Sequence, residues 1–309
     1  MSKPFDLIPS EETVRRVLDR LEPGSTLVKF EASPGSFSNY THVVDAKTAG
    51  GADFRLVIRR YKVFGDYDRG EKAAREFKTF ELLARHGIPA PRPLLLDVTG
   101  DLLEIPGIVT SFVPGASLYE PADPVRWART LAVTLANIHA LPVDPETQKT
   151  LLDGDPQATW FIRRESPPDY MRKHPDGARV WETLRAWYPD RATPPASLLH
   201  MDFWAGNLLW EGDQLSAVLD WEEASFGNPA YDVGYSLLDI TMLGYGHVAD
   251  EFLRVYEAEI GRPVADLGFW QLAAAVRPMF GWGDEIYESP AKERLEGFIA
   301  DAIRRSLIH

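Results

Sequence analysis

His200-Met201-Asp202-Phe203-Trp204-Ala205-Gly206-Asn207 leads into Leu208-Leu209-Trp210, a turn at Glu211-Gly212-Asp213-Gln214, an apolar run over 215–219, and then Asp220-Trp221-Glu222. Two apolar runs around a polar, glycine-bearing turn read as a β-hairpin. A hairpin returns its ends to the same edge. Asn207 begins the outgoing strand and Asp220 ends the returning one, so both side chains are expected at that edge, with Asp202 on the loop before it. Oxygen donors that leave room for water and phosphates suit Mg2+. A carboxylate left off the metal can orient a substrate hydroxyl and accept its proton. Asp202 is therefore the candidate catalytic base, and Asn207 and Asp220 are the candidate metal ligands. His200 is read as a core histidine.

Outward from this island the chain changes character. Ser10 can cap a helix over 10–21, with Val14, Val17, Leu18 and Leu21 at helical spacing. Strand-like runs follow at 26–32, 40–47 and 54–61, broken by Pro34-Gly35-Ser36 and Gly50-Gly51. A helix is expected over 71–86 with Gly87 as its stop, then strands over 94–98 and 108–113, closed by Pro114-Gly115. Beyond Gly115 helical periodicity dominates, with expected helices over 124–140, 178–188, 231–243, 247–260, 266–280 and 291–307. Residues 141–177, rich in proline and charge, show no assignable period. The expected fold is α+β and bilobal. Residues 1–113 form a nucleotide-binding lobe with a five-stranded antiparallel sheet plus helix, and residues 114–309 form a mostly helical catalytic and substrate-binding lobe.

Composition bounds the chemistry. The chain has 309 residues, no cysteine, and 45% hydrophobic and 26% charged residues. Thiolate nucleophiles, disulfides and cysteine zinc sites are excluded. The start lacks an apolar leader core, and no apolar stretch reaches the roughly 20 residues of a membrane span. A cytoplasmic protein without membrane or nucleic-acid partners is expected. The net charge of −13 disfavours a polyanion. It is also unevenly spread. Residues 1–113 carry 16 basic and 16 acidic side chains, and residues 114–309 carry 17 and 30. Acids clustered around a cleft would favour a cationic acceptor.

The pattern His-x-Asp-x-x-x-x-Asn, a hairpin, then Asp resembles the catalytic and metal-binding loops of the protein-kinase-like superfamily. In the form found here, with Leu-Asp-Trp-Glu and then Gly227-Asn228-Pro229-Ala230-Tyr231-Asp232, it resembles the aminoglycoside phosphotransferase family. That family usually has glycine where Met201 stands. The resemblance spans about residues 25–260, is strongest over 197–234, and is weakest over 141–177 and 261–309. It implies an ATP- and Mg2+-dependent transfer of phosphate to a small-molecule hydroxyl. Asp232 would brace the catalytic loop.

The first lobe supplies the matching parts. Arg59 lies on a strand, and Glu76 lies in the apolar stripe of the next helix with Ala73, Phe80 and Leu83. A carboxylate there needs a partner, and the resemblance places a Lys or Arg at the position of Arg59. Backbone amides and hydroxyls of Ser36, Phe37 and Ser38 could cover phosphates. The resemblance further implies that backbone groups of Ser111 and Val113 hold adenine. For the acceptor, Trp160, Phe161, Tyr170, Asp239, Trp270, Trp282, Asp284, Glu285 and Glu288 are candidate lining residues. Two other readings stay open. A protein kinase is disfavoured by Met201 in place of Arg and by the missing Asp-Phe-Gly, and phosphorylation of a protein would revive it. A non-catalytic nucleotide-binding protein would bind ATP without turning it over.

Overall fold

Ser10 caps the first helix: its hydroxyl accepts the Thr13 amide at 3.1 Å, and Glu11 and Glu12 follow in the first turn. Both features satisfy the free amides and positive end of a helix N-terminus. The computed structural model describes residues 8–33, 39–63 and 68–306. In chain order the elements begin α1 (Glu11–Leu21), β1 (Thr26–Ala32), β2 (Tyr40–Lys47), β3 (Asp53–Arg60), α2 (Arg69–Arg85), β4 (Pro93–Asp97) and β5 (Gly107–Ser111). Next come β6 (Ala116–Ser117), α3 (Pro124–His139), α4 (Pro145–Gln148), β7 (Leu152–Asp153), α5 (Gly154–Thr159), α6 (Asp169–Lys173) and α7 (Gly177–Trp187). The last are β8 (Ser197–Leu199), β9 (Leu208–Glu211), β10 (Gln214–Val218), β11 (Ser225–Gly227), α8 (Ala230–Met242), α9 (Ala249–Ile260), α10 (Leu267–Gly281) and α11 (Ala291–Ser306). Among the described residues no helix is long and apolar enough to cross a membrane.

The chain divides into two compact units. The first comprises Met1–Gly115, Pro145–Thr150 and Ser216–Glu223, and the second comprises Ala116–Asp144, Leu151–Leu215 and Ala224–His309. The boundary runs through β10.

The first unit is built on a five-stranded sheet in the order β1-β2-β3-β5-β4, with every neighbouring pair antiparallel. Alternation along β2 and β3 puts Val44, Ala46, Leu56 and Ile58 on one face. There they meet Val14, Val17 and Leu18 of α1, with Leu95, Leu103 and Val109. Helix α2, capped by the Asp68 carboxylate on the Glu71 amide at 3.0 Å, buries Ala73, Glu76, Phe80 and Leu83.

The second unit is helical around α8, where every residue from Ala230 to Ile240 is buried. At Gly234 a Cβ would stand 2.7 Å from the Trp270 backbone, so glycine lets α8 and α10 approach closely. A small sheet in the order β7-β11-β8 also lies here, with β11 parallel to β7 and antiparallel to β8. Strand β6 pairs antiparallel with β9.

Candidate active site

Within the second unit, the loop between β8 and β9 is tied to α8 by its backbone. Asp232, fully buried, accepts the His200 amide at 2.7 Å and the Met201 amide at 2.9 Å. His139 of α3 stands 3.2 Å from the same carboxylate and 2.6 Å from the Tyr256 hydroxyl. Asp239, one helical stretch further along α8, accepts the Ala205 amide at 3.0 Å. Burial pushes the Asp239 carboxyl up to about 7, against that hydrogen bond and with the help of the nearby Asp202 charge. Two acids of one helix thus fix both ends of the loop. His200 is buried, and its Nδ1 accepts the Asp202 amide at 3.2 Å.

The loop holds out the Asp202 carboxylate. Oδ2 accepts the Asn207 side-chain amide at 2.9 Å, and the same Nδ2 donates to the Asp202 carbonyl at 3.0 Å. Oδ1 accepts Arg277 Nη2 of α10 at 2.8 Å, and the Tyr235 hydroxyl of α8 also donates to the carboxylate. The side chain still keeps 28% of its surface open. Burial alone would raise its pKa, but Arg277, Tyr235 and His200 outweigh burial and hold it below the usual carboxylate range. An ionised, oriented and partly open carboxylate can accept the hydrogen bond, and then the proton, of a hydroxyl. Asn207 stands in a 3-10 turn just ahead of β9. Because its Nδ2 faces Asp202, its Oδ1 remains as the donor atom for a metal.

The first unit assembles a second charged group. Arg59 Nε of β3 lies 3.1 Å from Glu76 Oε2 of α2. Its Nη2 pairs with the Asp220 carboxylate and stands 3.6 Å from Glu222. Glu222 is held in turn by Lys72 at 3.0 Å and the Asn39 amide at 2.6 Å. Glu76 also accepts the Trp221 amide at 3.0 Å and the Tyr61 hydroxyl. Burial opposes the Arg59 charge, yet the carboxylates of Asp220, Glu76 and Glu222 raise its pKa well above the ordinary value. Burial likewise works against the Glu222 charge, but Arg59, Lys72 and Asn39 keep that carboxyl below its usual range. Arg60 points elsewhere, buried against Glu104 at 3.0 Å. Asp220 adopts a positive φ of 64°, the turn that ends the returning arm of the hairpin.

The remaining sequence candidates divide. Ser36, Phe37 and Ser38 lie outside the described residues. The Ser111 amide donates to the Arg92 carbonyl at 2.8 Å, and its hydroxyl accepts the Arg92 amide at 2.9 Å. Val113 lies just past the end of β5. Phe161 and Trp270 are core residues, and Asp239 serves the loop, whereas Trp160 and Tyr170 reach the surface or stand close to it. Sequence reasoning missed Arg277, Tyr235, Lys72 and Asn39. Arg277 left a trace, as the one charged residue in the apolar run of α10.

Among the described residues no cluster of three or more His, Cys, Asp or Glu side chains is arranged to hold a metal ion. Magnesium does not need one, since it is commonly held by one or two carboxylates completed by water and substrate phosphates. Asn207 in the second unit and Asp220 in the first each carry a hard oxygen of that kind.

Residues 30–267 match the phosphotransferase enzyme family, so the chain belongs to that family. It is similar to acyl-CoA dehydrogenase family member 10 of Mus musculus, with 26% identity over 267 residues, covering 74% of this chain and 24% of that protein. It is also similar to the homoserine kinase of Methylobacterium nodulans, with 29% identity over 167 residues, covering 51% of this chain and 50% of that one. The chain thus spans about a quarter to a half of the length of these curated relatives. Among solved structures it shares its fold with a spectinomycin phosphotransferase in complex with ADP and spectinomycin, at a TM-score of 0.59 and 15% identity, covering 93% of this chain and 92% of that one.

Proposed function

We propose that the protein is a kinase that moves the γ-phosphate of ATP, with Mg2+, to the hydroxyl of a small molecule. The anchoring of Asp202 carries this reading: an ionised carboxylate is held by Arg277, Tyr235 and Asn207 yet remains partly open. Family membership supports it, as does the similarity to a homoserine kinase and to a phosphotransferase solved with ADP and its acceptor. Residues 1–113 are proposed to bind nucleotide, and residues 114–309 to carry catalysis and the acceptor.

In this reading Asp202 orients the acceptor hydroxyl and takes its proton as the oxygen bonds to the γ-phosphorus. The bond from that phosphorus to the bridging oxygen breaks, and ADP leaves. Arg59, positioned by Glu76, neutralises phosphate charge. Ser36, Phe37 and Ser38 cover the phosphates, and the Ser111 carbonyl with the Val113 backbone receives adenine. Asn207 and Asp220 would hold magnesium, which supplies charge neutralisation on the phosphates. Rate acceleration then comes from positioning and fixed electrostatics. The test is ADP release from MgATP across a panel of hydroxyl metabolites and antibiotics. Turnover that requires a hydroxyl compound is the expected result, and nucleotide binding without turnover against any compound would overturn the reading.

A further inference from the structure

Helix α10 is buried from Leu267 through Val276 and first opens at Arg277. Arg277 Nη2 holds Asp202 at 2.8 Å. Three residues later, on the same face of the helix, Phe280 stands 55% exposed. Its ring packs on Tyr170 of α6, centroids 5.2 Å apart, and on Trp160 at 6.1 Å. Trp160 and Tyr170 complete the triangle at 5.9 Å, and Trp160 is itself 41% exposed. An aromatic surface therefore begins about one helical turn, roughly 5 Å, from the residue that grips Asp202. Scattered exposed apolar side chains are ordinary, whereas two large exposed rings in mutual contact beside a functional carboxylate are not.

We propose, resting on the kinase reading, that Trp160, Tyr170 and Phe280 form the wall against which the acceptor lies, and that the acceptor is a hydroxyl compound with an apolar body. The local charge points the same way. Arg164 lies over the Trp160 ring at 5.4 Å, and Arg277 is paired with Asp202, so a guanidinium already occupies each place a cation would seek. The acid excess of residues 114–309 suggested a cationic acceptor, but a cation here would meet Arg164 and Arg277 and find the Trp160 face already taken. An apolar chain would cover the two exposed rings and leave its hydroxyl toward Asp202.

The experiment measures ADP release from MgATP with primary alcohols from butanol to octanol, for wild type, Phe280→Ser, and Val125→Ser as an exposed apolar control on α3. In wild type and in Val125→Ser, kcat/KM should rise by about fourfold per added methylene, the effect of burying one CH2. In Phe280→Ser that slope should largely vanish. In parallel, saturation of the protein's aromatic protons should transfer to the alkyl protons of octanol in wild type and be lost in Phe280→Ser. A flat series in wild type, or an equal slope in Phe280→Ser, overturns the inference. Turnover of a polar polyol with no saturation transfer to octanol overturns the inference and leaves the kinase reading standing. No turnover with any hydroxyl compound overturns the kinase reading and this inference together.

Discussion

Met201 occupies the left-handed region at φ 70° while buried. The conformation costs about 1–2 kcal/mol for a non-glycine residue, and the hydrogen bonds that the His200 and Met201 amides donate to Asp232 hold the loop in it. Beside it, the Asp202 and Asp239 carboxyls are shifted in opposite senses. Burial raises the Asp202 pKa, and Arg277 is the leading group that brings it down. Arg277→Gln should therefore move the acid limb of the kcat/KM profile to higher pH, because the proposed base acts as the carboxylate. An unmoved limb would mean that Arg277 does not set the ionisation. Asp239 has the reverse sign. Its folded pKa, about 7, lies above the unfolded carboxyl value. Between the two values the native state binds the extra proton, so stability falls as pH rises through that window and is level above it. Asp239→Asn keeps an acceptor for the Ala205 amide and removes this penalty. In magnesium-free buffer the gain in Tm over wild type should grow from pH 5 to pH 8. A gain independent of pH would show that Asp239 does not titrate there.

Helix α8 is the element that turns a loop into a site. Asp232 takes two buried backbone amides and His139 takes the same carboxylate, so truncation would strand both amides. At about 1–3 kcal/mol for each stranded group, Asp232→Ala should cost about 2–6 kcal/mol in urea unfolding. A loss within about 0.5 kcal/mol would show that the brace carries no load. Local patterns are legible in a sequence, and contacts between distant residues are not. Strands β1, β2 and β3 stand out because alternation and glycine breaks are local signals, and α1 and α3 because a stripe needs several turns to become visible. Residues 141–177 hid α4, α5 and α6, which are too short to repeat an apolar period. What fixes them lies far along the chain. Asp155 pairs with Arg191 at 2.8 Å and accepts the Asn228 amide at 3.2 Å, while β7 finds its partner in β11. Arg277 escaped notice for the same reason: its partner, Asp202, lies 75 residues away in sequence.

At the scale of the molecule, each unit is a scaffold for one charged group. The first holds Arg59 among Glu76, Asp220 and Glu222 between the sheet and α2. The second holds Asp202 among Asn207, Tyr235 of α8 and Arg277 in the last turns of α10. The His-x-Asp-x-x-x-x-Asn hairpin motif runs through both, with Asp202 and Asn207 in one unit and Asp220 in the other. A kinase reading requires the two groups to have separable duties, nucleotide for the first and hydroxyl activation for the second. The measurement that tests this most directly is Asp202→Asn, with MgATP affinity by calorimetry and turnover on the acceptor measured on the same preparation. The account predicts near-wild-type affinity for MgATP and turnover lowered by at least about 100-fold, the low end for loss of a general base. Turnover at the wild-type rate would contradict it.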